Sequence, residues 1–178
     1  MLSVGQSINK QESIMSIFSF AKDIGDKIFN RNKKDAAPAA NTAAPAAPAE
    51  PTAQEIANLL LARVQAQNVQ ISNLSVNYNS DTDTVTLSGA AKTQEDRERA
   101  RLAVGNVQHV ESVVDNITVE SQEPESRFYT VKSGDNLSKI AKEMYGNAND
   151  YMKIFDANKP MLSHPDKIYP GQVLRIPA

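Results

Sequence analysis

The stretch YTVKSGDNLSKIAKEMYG, Tyr129 to Gly146, decides how the C-terminal third of the chain is read. Phe128–Val131 has the β-branched and aromatic character of a short strand, and Ser133-Gly134-Asp135 is a turn. A helix follows from about Asn136, with Ile140, Ala141, Met144 and Tyr145 on its apolar face. Beyond it, Asn147–Asn158 reads as a second helix and Gln172–Ile176 as a closing strand. The order over 127–178 is βααβ, a small domain with its own core.

Working toward the N-terminus, residues 123–126 are a short connection and 52–122 a second domain. Thr52 and Glu55 have capping-box spacing, and Ile56, Leu59, Leu60, Arg63 and Val64 continue a helical stripe. Ile71–Tyr78 alternates as a strand, Ser80–Asp83 is a hairpin turn, and TVTLSG returns to Gly89. A charged helix, with the run QEDRER, extends from about Thr93 to Val104, where Gly105 ends it. A last strand runs from about Val110 to Val119. The order is αββαβ, and an antiparallel sheet with two helices on one face is the economical way to bury its apolar stripes. The fold class is therefore α+β, with two small domains.

Residues 36–51 contain nine Ala and four Pro among sixteen. Such a segment cannot sustain a helix and has nothing to pack, so it reads as an extended linker spanning up to about 50 Å. Before it, 15–35 is a leader. Ile17, Phe18, Ala21, Ile24 and Ile28 recur at helical steps over 15–29, and Gly25 interrupts them. Residues 1–14 are polar and read as disordered or as an over-long start, with Met15 an alternative first residue.

The bulk composition narrows the function. With 178 residues, 6% aromatic, no Trp and no Cys, each core is small and aliphatic. Disulfides, thiolate metal sites and a cysteine nucleophile are excluded. A net charge of −2 gives no electrostatic basis for nucleic-acid binding, although it is unevenly spread: 52–123 holds five basic and ten acidic residues, and 126–178 eight basic and five acidic. The apolar run Ile14–Ala21 is interrupted by serines and lacks a basic start, so it is not a signal peptide, and no run reaches the length of a membrane span. The expected location is the cytoplasm, with no membrane partner. His109 and His164 stand far apart, with no triad, zinc-ligand spacing or phosphate loop around either. The turn Asn79–Thr84 lacks the glycine and distal Glu of an EF-hand. No enzyme is expected.

Two resemblances sharpen this reading. Residues 127–177, through the turn, the helix spacing, Asn158 and the ending PGQVLRIP, resemble the LysM family. That resemblance implies a possible N-acetylglucosamine groove formed by Gly134, Asp135, Asn136, Leu137, Asn158 and Ile168. Val85, Leu87 and Gly89, the charged helix and LAVGNVQHVESVVDNI resemble the BON family, whose members serve binding roles. The leader SIFSFAKDIGDKIF, then BON, then LysM with YGNANDYMKIFDANKPML and PDKIYPGQVLRIP, together resemble the bacterial cytoplasmic potassium-binding proteins.

Potassium is large and weakly hydrated, and neutral carbonyl oxygens suit it. Helix C-termini offer such oxygens at the negative end of the dipole. A left-handed Gly105 would turn the loop carbonyls together, and Ala21–Gly25 repeats the arrangement. The resemblance implies K⁺ ligation, with Rb⁺ or Cs⁺ as further candidate ions, by the carbonyls of Ala21, Ile24, Gly105, Val107 and Val110. The expected role is that of a monomeric sensor or buffer, in which binding orders leader, BON and LysM into a closed arrangement. The alternative is an adaptor that binds peptidoglycan through its LysM domain.

Overall fold

The computed structural model describes the backbone of residues 16–19 and the whole of residues 51–121 and 123–178. Helix α1 (Ala53–Gln65) opens on the expected capping box. The Thr52 N–H donates to Glu55 Oε2 at 2.7 Å, and the Glu55 N–H donates to Thr52 Oγ1 at 3.2 Å. These bonds satisfy N–H groups that have no partner within the helix. Strands β2 (Ile71–Asn79) and β3 (Thr84–Thr93) form the antiparallel hairpin, and α2 (Gln94–Gly105) follows, capped by Thr93.

Strand β4 (Ser112–Ser121) corrects the expected antiparallel sheet, because it lies parallel to β3, with Val85 opposite Val113 and Leu87 opposite Asp115. A helix joins the two strands, and such a crossover returns the chain to run in the same direction. Val85, Leu87, Val113 and Ile117 face the core and meet Ile56, Leu60, Val64, Ala100 and Val104 of the two helices.

The sheet order is β1-β4-β3-β2, where β1 is Ser16–Ser19, paired antiparallel to β4. The sequence pattern places these four residues in the leader helix; instead they form an edge strand. Four residues with two apolar side chains fit either period, and β4 offers them an otherwise open edge. The rest of the leader, the linker at 36–50 and residues 1–15 lie outside the described residues.

The C-terminal domain follows its expected order. Strand β5 (Arg127–Thr130) pairs antiparallel with β6 (Val173–Ile176), and α3 (Leu137–Tyr145), a 3₁₀ turn (Ala148–Asp150) and α4 (Tyr151–Ala157) lie between them. Asn136 caps α3 through Oδ1, which accepts from Lys139 N–H at 2.9 Å, and left-handed Gly146 ends that helix. Leu137, Ile140, Ile154, Leu162, Leu174 and Ile176 form the second core.

Candidate functional site

The five carbonyls expected to hold a cation fall into two groups. Gly105, Val107 and Val110 lie in one buried turn between α2 and β4. Ala21 and Ile24 lie outside the described residues. Gly105 is not left-handed: it is the last residue of α2, and the helix closes with Asn106 N–H on Leu102 O at 3.1 Å and Val107 N–H on Val104 O at 3.2 Å. The reversal comes later, at His109 with φ of 73°, where Val110 N–H donates to Val107 O at 3.1 Å. Glu111 N–H then donates to Asp83 O at 2.8 Å, which ties the turn to the β2–β3 hairpin. Among the described residues, no group of three or more His, Asp or Glu side chains is placed to hold a metal.

The register of β1 fixes where the described part of the leader ends. Ser19, the last residue of β1, lies opposite Ser112, the first of β4. The chain therefore leaves β1 at the end of β4 into which the Gly105–Val110 turn leads. Ala21 and Ile24 follow Ser19 by two and five residues in sequence.

The two domains meet along α2 and at Asn106 of the turn that follows it. Strand β6 sends Leu174 and Ile176 into its own core and turns Val173 and Arg175 the other way. Arg175 Nε donates to Glu98 Oε2 at 2.6 Å, and its Nη1 lies 3.3 Å from Glu95 Oε1. The Glu98 side chain is 0% exposed and also accepts from Ser126 N–H at 2.9 Å and Gln94 Nε2 at 3.0 Å. Burial, the largest single influence, pushes the Glu98 carboxyl up. The bonds from Arg175, Ser126 and Gln94 together outweigh it and hold the group below its ordinary value. Beside this pair, Arg101 stacks on the Phe128 ring at 4.2 Å and faces buried Asp115, which also accepts from Arg97 at 2.9 Å. Within the run QEDRER, Glu95 and Glu98 thus face the second domain.

Two asparagines complete β6. Asn158 accepts from Arg175 N–H at 2.8 Å and donates to Arg175 O at 2.8 Å. Asn106 does the same for Val173, accepting from its N–H at 2.8 Å and donating to its O at 2.9 Å. Each side-chain amide stands in for a neighbouring strand on the free edge of β6.

The residues of the expected sugar groove are divided in role. Gly134 (φ 83°) and Asn136 are exposed and Ile168 is half-buried, whereas Leu137 is core and Asn158 is 3% exposed and bound to β6. Asp135 accepts from Lys132 N–H at 2.8 Å and Tyr129 OH at 2.9 Å, the first of which does most to lower its carboxyl. Burial, aided by Asp135, pushes the Tyr129 hydroxyl up to about 12.

The BON domain family matches residues 52–121, and the LysM domain family matches 129–177. A protein of Escherichia coli O6:H1 named potassium binding protein Kbp is 40% identical over 167 residues, covering 92% of this chain and 99% of its own length. The chain belongs to the family of that protein. A match of that extent passes beyond the two domains into residues that precede Thr52. An uncharacterized protein of Deinococcus radiodurans is 32% identical over 133 residues, covering 68% of this chain and 51% of its own length. Among the described residues no helix is long and apolar enough to cross a membrane.

Proposed function

We propose that this protein binds K⁺ reversibly through backbone carbonyls of the Gly105–Val110 turn together with those of the leader, and acts as a cytoplasmic potassium sensor or buffer. The observation that supports the reading is the β1–β4 register, in which Ser19, opposite Ser112, ends β1 at the end of the sheet occupied by that turn. The near full-length similarity to a potassium binding protein supports the choice of ion. The chemistry agrees. A turn at a helix C-terminus gathers carbonyl oxygens at the negative end of a dipole, and such oxygens suit a large monovalent cation better than they suit Ca²⁺ or Mg²⁺, which call for carboxylates. Gly105, Val107 and Val110 supply the domain's share of these oxygens, and Ala21 and Ile24 supply the leader's. The role is binding and not catalysis, with the chain acting as a monomer.

Calorimetric titration with KCl, against NaCl at equal ionic strength, tests the reading. Saturable heat with KCl alone, lost on deletion of Met15–Phe29, is expected. Saturable heat that survives the deletion removes the leader from the site. Absence of heat, with unchanged amide shifts, overturns the ion reading.

A further inference from the structure

Asn106 lies between two of the proposed ligand residues, Gly105 and Val107, yet its side chain belongs to the other domain. Its amide occupies the Val173 position on the free edge of β6, as Asn158 occupies the Arg175 position two residues on. Asn158 comes from within LysM; Asn106 comes from BON, 67 residues away in sequence from Val173. The main chain of Asn106 is held as well, because the Tyr169 hydroxyl donates to its carbonyl at 3.3 Å and its N–H is fixed on Leu102 O at 3.1 Å. Asn106 is 3% exposed.

The Gly105 carbonyl and the Asn106 N–H belong to one peptide plane, and the Asn106 carbonyl to the next. Rotation of the first plane breaks the Asn106 N–H bond to Leu102 O, rotation of the second takes the Asn106 carbonyl from Tyr169, and the side-chain amide on Val173 pins the Cα that the two planes share. From this geometry, and resting on the K⁺ reading above, we infer that Asn106 is a positioning residue: it contributes no side-chain ligand, but through it strand β6 sets the direction of the carbonyls that meet the ion. Its side-chain partners all lie in the second domain: the backbone of Val173, bonded through both ends of the amide, and Met161 Sδ, to which Nδ2 also donates at 3.3 Å.

The coupling must be reciprocal. If β6 orients the turn for the ion, the ion tightens the Asn106–Val173 pair by the same factor. Three measurements test this on the full chain: KCl calorimetry of the wild type, Asn106→Ala and Tyr169→Phe; unfolding of each in KCl and in NaCl; and hydrogen exchange of the Val173 amide in the wild type with and without KCl. The expected results are about a tenfold or greater loss of K⁺ affinity in Asn106→Ala, the scale of the hydrogen bonds removed, a smaller loss in Tyr169→Phe, and slower Val173 exchange in KCl by a comparable factor. A merely structural Asn106 would lower stability equally in both salts and leave the KCl–NaCl difference intact, which would overturn the inference. Val173 exchange that ignores KCl would overturn it too, even if Asn106→Ala fails to fold. A wild type without saturable KCl heat overturns both this inference and the K⁺ reading. A wild type that binds K⁺ alongside an Asn106→Ala that binds equally well overturns this inference alone.

Discussion

Replacing Arg175 with Met tests how the two domains are joined. The Arg175 side chain is 12% exposed and reaches Glu98 Oε2 at 2.6 Å, while the Glu98 side chain is 0% exposed. Truncation removes the partner and leaves the carboxylate buried, a change that costs about 3–5 kcal/mol in comparable pairs. Glu98 keeps its bonds from Ser126 N–H and Gln94, which places the loss near the lower limit, at about 3 kcal/mol or some two orders of magnitude in the folding equilibrium. The main chain of Arg175 stays bound to Asn158, so β6 itself is not dismantled.

The pH dependence of this variant has a definite sign. In the wild type the Glu98 carboxyl lies below its ordinary 4.5, so the contribution of the pair is complete above that value and is lost as pH falls through the depressed one. Without Arg175 the burial influence gains weight and the carboxyl rises. The deficit of Arg175→Met is then greatest at neutral pH and shrinks toward acid as Glu98 takes up a proton. Urea unfolding followed by far-UV circular dichroism at pH 7 and pH 4 measures both effects. Glu98→Gln combined with Arg175→Met is expected to recover part of the loss, because a neutral amide oxygen can still accept from Ser126 N–H while no charge is left buried without its partner. A deficit below about 1 kcal/mol, constant with pH, would mean that the pair behaves as an exposed one and would refute the reasoning.

Three further outcomes follow from single sites. Gly89→Ala is expected to destabilise by about 2–4 kcal/mol in thermal or urea unfolding, because Gly89 has φ of 153° and a Cβ there would lie 2.8 Å from Ile71 Cγ2 and 3.0 Å from Ser72 O. Asn158→Ala strips partners from Arg175 N–H, Arg175 O and Ile154 O, so a stability loss of about 3 kcal/mol is expected; an unchanged melting temperature would refute the structural role assigned to it. In an ultraviolet alkaline titration, one of the five tyrosines should ionise near 12, and Tyr129→Phe should remove that step. Because the Tyr129 value is raised by folding, its contribution to stability is complete below about 10 and is lost as pH rises through about 12.

The elements of both domains were legible in the sequence wherever a local signal and a burial pattern agreed. Thr52 with Glu55 was expected to cap α1 and does, and Thr93 and Asn136, read only as the approximate starts of α2 and α3, turn out to be their caps. The direction of β4 was legible in principle, since a helix between consecutive strands implies a parallel return. The alternation of β4 alone is silent about direction, and the antiparallel expectation failed for that reason. The strand at Ser16–Ser19 was not legible: four residues satisfy both periods, and what selects a strand is the edge of β4, about a hundred positions along the chain.

The interdomain face and the candidate ion turn were hidden for two different reasons. In QEDRER the charges surround the helix, so no periodicity separates the side that meets solvent from the side that meets Arg175. Only the lone Arg175 within the apolar alternation of VLRI hinted that the outer face of β6 has a charged partner. The turn was hidden because carbonyl oxygens carry no side-chain identity. Gly105 drew notice as a glycine expected to be left-handed, yet the positive φ belongs to His109 and the interdomain bonds belong to Asn106. An asparagine just past a helix reads locally as an ordinary terminating residue. Its reach to Val173 depends on how the second domain docks, which no window of sequence around it contains. The same contacts that made this residue illegible make its substitution informative, because they join a turn rich in carbonyls to the edge of a strand in the other domain.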